Sequence, residues 1–242
     1  MKKSLIVFTF LFCCGVTTKA QVIIALLFGD KLNSEKVEFG LNVTPSLTNL
    51  SNFDSKYRSV LDLGLYFNIK LNNNIFVHPE VLAKSAYGAG KIPMYSLNNV
   101  ALDSLFIGGS ADRKLKGWGI PLLMRFRVKK FLFADFGPQV DWLLFKNQDE
   151  FTNESDDGKL TYAKNINSQI SQFSFGLVGG LTYKFHKDKG MGLGIRYYYG
   201  LTDVVNNVSG NQSHRMLMFN ISIPVGVSGK QPSTGTSAVP IN

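Results

Sequence analysis

Few groups in this 242-residue chain could do chemistry, and its three histidines, His78, His186 and His214, are scattered. His78 stands two residues before Glu80, a spacing that puts both on one face of an extended strand and would suit two metal ligands or an acid/base pair. No cysteine or third histidine completes such a set, so the pair is expected to hydrogen-bond inside the fold. His214 follows Ser213, the start of a serine–histidine nucleophile, yet no acid lies close by to orient the imidazole. The run KGMGLGIRY, residues 189–197, has glycines close enough for a phosphate cradle but no following helix; the glycines are read instead as making room for Arg196 and Tyr198. The acidic stretch DEFTNESDD, residues 149–157, lacks the ligand spacing of an EF-hand and reads as a solvated charge run. Asn-x-Ser/Thr matches at Asn42, Asn49, Asn153, Asn207, Asn211 and Asn220 follow from the abundance of Asn and Ser. No catalytic, cofactor-binding or metal-binding residue is therefore assigned, and no cofactor is expected.

The elements that would position these groups are strands. From Leu61 to Leu71 every odd residue is large and apolar and every even one polar, small or Tyr66. The same period of two recurs over 37–43, 75–84, 118–128, 132–144, 173–185, 193–201 and 217–225, which makes eight candidate strands. Links after the second, fourth and sixth are tight (Asn72–Asn74, Lys129–Lys130, His186–Gly190); those after the first, third, fifth and seventh are long and polar (47–58, 86–115, 146–171, 203–214). One end of the structure is thus trimmed and the other elaborated.

The first residues, MKKSLIVFTFLFCCGVTTKAQ, read as an export signal: two lysines, an apolar run and a Thr18-Lys19-Ala20 cleavage pattern. Residues 1–20 are therefore set apart, 21–35 form a short periplasmic segment, 36–227 the barrel and 228–242 a disordered Ser/Thr/Gly/Pro-rich tail. A lipid anchor at Cys13 or Cys14 is disfavoured because Phe12 precedes the first and a cysteine the second. Removing the leader removes both cysteines and leaves 23 basic against 17 acidic residues, a charge of +6. That excess suits an anionic lipid surface or ordinary exposed lysines, and no nucleic-acid partner is expected.

Two arguments decide which face meets which solvent. The bulky Leu, Ile, Phe, Tyr and Trp set is too large for the interior of an eight-stranded barrel. The opposite set joins Glu38, Asp62, Glu80, Asp135 and Asp141 to Lys70, Lys84, Arg125, Arg127, Lys184 and Arg196, which can neutralise one another once enclosed. Polar faces therefore point in and apolar faces out to hydrocarbon, and closure satisfies every backbone group where no water reaches. The expected fold is all-β, an eight-stranded antiparallel transmembrane barrel of up-and-down meander type. Its lumen network comprises Glu80, Lys84, Arg125, Arg127, Asp135, Asp141 and Arg196. Trp118, Trp142, Phe173, Tyr197 and Tyr199 toward the long-link end, and Phe67, Phe126, Tyr183 and Phe185 toward the other, fit two interfacial belts.

EFGLNV (38–43), HPEVL (78–82), WGIPLLMRF (118–126), FGPQV (136–140) and GIRYYYGLTDV (194–204) resemble the PorT-like outer-membrane β-barrel proteins of Bacteroidetes, themselves similar in architecture to small OmpX- and OmpA-type barrels. The resemblance covers about residues 30–226 and rests on strand and turn signatures. It implies a bacterial outer membrane, contact with outer-membrane lipid and lipopolysaccharide, and an envelope protein complex such as that of type IX secretion. The expected role is non-enzymatic: structural, adhesive or accessory. The alternatives are a lipid-modifying enzyme or a narrow channel.

Overall fold

A strand with one apolar and one polar face can stand in hydrocarbon only if its backbone is paired on both sides. The computed structural model describes residues 32–144, 146–155, 158–186, 190–206 and 210–226; the expected leader (1–20) and tail (228–242) lie outside the described residues. The strands are β1 (Val37–Leu50), β2 (Arg58–Lys70), β3 (Ile75–Ile92), β4 (Ser110–Arg127), β5 (Leu132–Leu143), β6 (Gln148–Ser155), β7 (Gly158–Asn165), β8 (Phe173–Lys184), β9 (Gly192–Gly200) and β10 (His214–Pro224), with a short helix α1 (Val100–Leu105) between β3 and β4. Eight of them pair antiparallel in the order β3-β2-β1-β10-β9-β8-β5-β4, and β3 pairs with β4 to close the ring. The expected eight-stranded barrel is therefore the observed one.

Inside the barrel, glycine makes room for large neighbours. A Cβ at Gly40 would collide with the ring of Tyr66, and one at Gly176 with that of Tyr198. Outside, Trp118 packs edge-on against Trp142 at 6.1 Å, and Trp142 stacks on Phe173 at 6.4 Å. Tyr183 meets Phe131 and Phe185 at the other end. Trp118 to Phe126 on β4 spans nine residues and Phe173 to Tyr183 on β8 eleven, the roughly 9–11 that a tilted spanning strand needs.

Beyond the tryptophans the structure departs from the sequence reading. Three of the four long links shrink as strand continues into them. β1 runs to Leu50, β3 to Ile92, and β4 begins at Ser110, which leaves 51–57 and 93–109 as connections. Within the stretch expected to be a polar loop, β6 and β7 form a hairpin, and β6 takes over the pairing of β4 at Ser110–Lys114 where β5 has ended. Here the inward side chains are mostly apolar, with Arg113 and Asp149 paired among them. One buried cluster runs from Leu123 and Val178 on inward strand positions up through Leu115 to Phe106, Phe151 and Val204. The layered polar interior expected for the whole barrel thus gives way above its spanning part to a largely apolar one. Above it, water surrounds the outside, and the apolar side chains turn in.

Strand β3 also carries one residue more than either neighbour, opposite Leu63–Leu65 of β2 and Gly117–Gly119 of β4. This bulge inverts its alternation. His78, Glu80 and Leu82 point inward below it, Ser85, Tyr87 and Ala89 above it.

Candidate functional site

Each inward polar side chain sits where strand pairing and barrel closure put it, and the lumen holds three polar layers. Nearest the tight turns, Glu38 accepts from Lys184 Nζ at 2.6 Å, from the Gly190 amide at 2.9 Å and from the Tyr66 hydroxyl at 3.2 Å. In the middle, Asp135 accepts from Arg125 Nε and Nη2 at 2.7 and 2.9 Å, from Arg196 Nη2 at 3.0 Å and from the Thr182 hydroxyl at 2.7 Å. Arg196 also reaches across to Glu80 at 2.6 Å. The chain Arg125–Asp135–Arg196–Glu80 therefore ties β4, β5, β9 and β3 together through the centre of the barrel. Among the described residues, the third layer contains no arginine or lysine donor. Asp141 accepts from the hydroxyls of Tyr87 (2.9 Å), Ser174 (2.9 Å) and Tyr198 (2.5 Å) and from Gln139 Nε2 (2.7 Å), while Asp62 accepts from Ser46 Oγ (2.9 Å) and the Ala86 amide (3.0 Å). Hydrogen bonds and opposite charges offset the desolvation of these groups.

Of the seven residues expected to form the lumen network, Glu80, Arg125, Asp135, Asp141 and Arg196 are brought together in these layers. Lys84 is a correction: the β3 bulge aims it outward and leaves it exposed. Arg127 lies apart, at the tight-turn mouth, where it donates to the Asn73 and Lys130 carbonyls and its guanidinium sits over Phe133 at 4.8 Å. Lys70 stands half-buried at the same mouth. Sequence reasoning missed Tyr87 and Tyr198 as carboxylate donors, because an inward tyrosine in an apolar run looks like packing.

The other chemical candidates resolve structurally. His78 Nε2 lies 2.8 Å from Glu80 Oε1, and its Nδ1 has no hydrogen-bond partner among the described residues. His214 is buried in the lumen, stacked on Tyr87 at 4.7 Å. The Ser213 hydroxyl contacts Ser51 Oγ at 3.0 Å and accepts from Arg215 at 2.7 Å, so it does not pair with the neighbouring imidazole. Asn42, Asn68, Asn220 and Arg125 Nη1 also keep buried polar atoms without a protein partner, sites that internal water would satisfy. Among the described residues no group of three or more His, Cys, Asp or Glu could hold a metal. Asp149 and Glu150 of the acidic run are held by Arg113, at 2.9 and 2.7 Å, and by Lys114. Tyr95 donates to Asp149 at 2.9 Å; burial, then the Asp149 charge, push its phenol above the ordinary range, so it stays a donor.

A closed eight-stranded barrel with apolar outer faces and an ionic lumen matches one family in sequence as well, for residues 29–206 fit the outer membrane protein beta-barrel domain. The chain belongs to that family. It is an outer-membrane β-barrel protein, and its place is the bacterial outer membrane. Among curated proteins no sequence match is found. Among solved structures, this outer membrane barrel is similar to Ail, the attachment invasion locus protein of Yersinia pestis, with 12% identity over 78% of this chain and 97% of that one and a TM-score of 0.41. It is also similar to Neisserial surface protein A, at 12% identity, 77% and 96% coverage and a TM-score of 0.39. OprG of Pseudomonas aeruginosa matches at 14% identity, 79% and 95% coverage and a TM-score of 0.36.

Proposed function

We propose that this outer membrane barrel is a non-enzymatic structural, adhesive or accessory protein that works through its outer surfaces while its lumen stays shut to solutes. The observation that carries this reading is the chain Arg125–Asp135–Arg196–Glu80, which crosses the lumen beneath the apolar cluster of Phe106, Phe151 and Val204. A solute passing along the axis would have to part buried ion pairs and then displace packed side chains, each a cost of several kcal/mol. Reconstituted in planar bilayers, the protein is expected to give no discrete conductance steps; reproducible steps that track protein concentration would overturn the shut lumen.

The finer form of the reading, supported by the resemblance to PorT-like barrels, is accessory service to type IX protein secretion or to envelope assembly in a Bacteroidetes outer membrane. Its partners there are outer-membrane lipid, lipopolysaccharide and an envelope protein complex. A strain lacking the protein should accumulate secretion cargo in the periplasm or lose envelope integrity. Normal cargo export and a normal envelope together would sink that form and leave the shut barrel standing.

A further inference from the structure

The extra residue in β3 puts a charge where a regular pleat would have turned it into the lumen. Leu82 and Ser85 both point inward, so Lys84 between them faces outward and is exposed. On the next strand Lys116, opposite Ala86, is also outward and exposed, two residues above Trp118. Lys146 lies beyond Leu144, whose amide donates to the Lys116 carbonyl, and is exposed as well. Among the described residues none of these three ammonium groups has a hydrogen-bond or ion-pair partner. The acids of the same outer face are occupied: Glu150 by Lys114, Asp112 by the Lys91 amide at 2.9 Å. Directly below lie Trp118, Trp142 and Ile120, all exposed apolar groups of the spanning surface.

Arg215, the outward cation at the corresponding end of β10, is engaged: its guanidinium lies over Tyr199 at 3.7 Å and donates to the Gly200 and His214 carbonyls and to Ser213 Oγ. Three unpaired ammonium groups at headgroup depth over an aromatic belt suit a ligand with anionic groups above and acyl chains below. A soluble anion would leave the belt uncovered.

We propose that Lys84, Lys116 and Lys146 form a binding site for the phosphate groups of an outer-leaflet glycolipid, with Trp118 and Trp142 against its acyl chains. This rests on reading the long-link end as the outer-leaflet side of an outer-membrane barrel. The full chain is placed in phosphocholine nanodiscs doped with bis-phosphorylated lipid A or with its dephosphorylated form, and retained lipid is counted by native mass spectrometry. Wild type is expected to keep the phosphorylated lipid. The triple variant K84Q/K116Q/K146Q should keep on the order of a hundredfold less, and K129Q/K130Q, altered at the opposite end, as much as wild type. The substitutions change only exposed side chains, so the β-sheet circular dichroism should be the same in all three. Equal retention by the triple variant, or equal retention of the dephosphorylated lipid by wild type, overturns the site and leaves the barrel reading intact. Failure of wild type to enter the discs as a folded barrel overturns both.

Discussion

From Trp118 to Phe126, β4 turns Trp118, Ile120, Leu122, Met124 and Phe126 outward, whereas from Ser110 to Lys116 it turns Ser110, Asp112, Lys114 and Lys116 outward; its inward positions are Gly119, Pro121, Leu123 and Arg125 in the first stretch and Ala111, Arg113 and Leu115 in the second. The pleat is continuous and β3 pairs with both halves, so backbone geometry does not explain the reversal. The medium does. In hydrocarbon the outer face is apolar and the enclosed one ionic; above it the outer face is hydrated and the enclosed one packs like a soluble core. The change falls between Lys116 and Trp118, which locates the upper edge of the membrane more sharply than the aromatic belt alone. The enclosed face of the upper half is not wholly apolar: Arg113 and Asp149 are both buried there and paired bidentately.

The comparison can be broken by placing one charge on each half of the same face. Leu122 lies midway between Trp118 and Phe126 and is half exposed. Leu122→Arg should cost roughly 2 to 4 kcal/mol in unfolding from lipid vesicles, the range for a basic residue facing lipid at the midplane. Ser110→Arg, outward on the upper half, should change stability by less than about 0.5 kcal/mol in the same measurement, as exposed substitutions do. Equal costs would mean that both halves face the same medium.

That reversal also explains what could be read from the sequence and what could not. The eight barrel strands, their inward and outward faces and the tight turns at Asn72–Asn74 and Lys129–Lys130 all follow from a period of two. The upper half was hidden because its pattern has the opposite parity. In SADRKLK, residues 110–116, the outward set is polar and the inward set is Ala111, Arg113 and Leu115, so the run resembles a loop when one searches for apolar outer faces. The β6–β7 hairpin was hidden for a related reason, since β7 is exposed at nearly every position and its apolar face is only Leu160 and Tyr162. Its one local sign was the Asp157-Gly158 pair, a turn signal between two alternating runs. The bulge that expels Lys84 left no mark beyond Leu82, an apolar residue in an otherwise polar inward set. Which carboxylate meets which guanidinium was not legible at all. Arg196 reaches Glu80 across 116 positions of sequence, and that pairing is set by the stagger of the closed barrel.

The smallest expected effect sharpens the comparison at its outermost point, the 93–109 connection that rides on the upper half. Asp103, half-buried in α1, accepts from the Leu97 amide at 2.7 Å and from the Ser96 hydroxyl at 2.7 Å. These bonds, the Leu97 amide first, hold its carboxyl below the ordinary aspartate range. A depressed folded value means that the ionised form steadies the connection. The contribution is complete above the ordinary aspartate value of roughly 3.9 and is lost as pH falls through the folded one. Hydrogen-exchange protection at the Leu97 amide should therefore stay level from neutral pH to about pH 4 and then decline. Asp103→Ala should abolish that protection at every pH. Amides around Trp118 and Trp142, held by the barrel, should not respond to either change. A parallel loss there would mean that the connection and the spanning barrel open as one unit, and that the boundary below Lys116 separates two media but not two levels of stability.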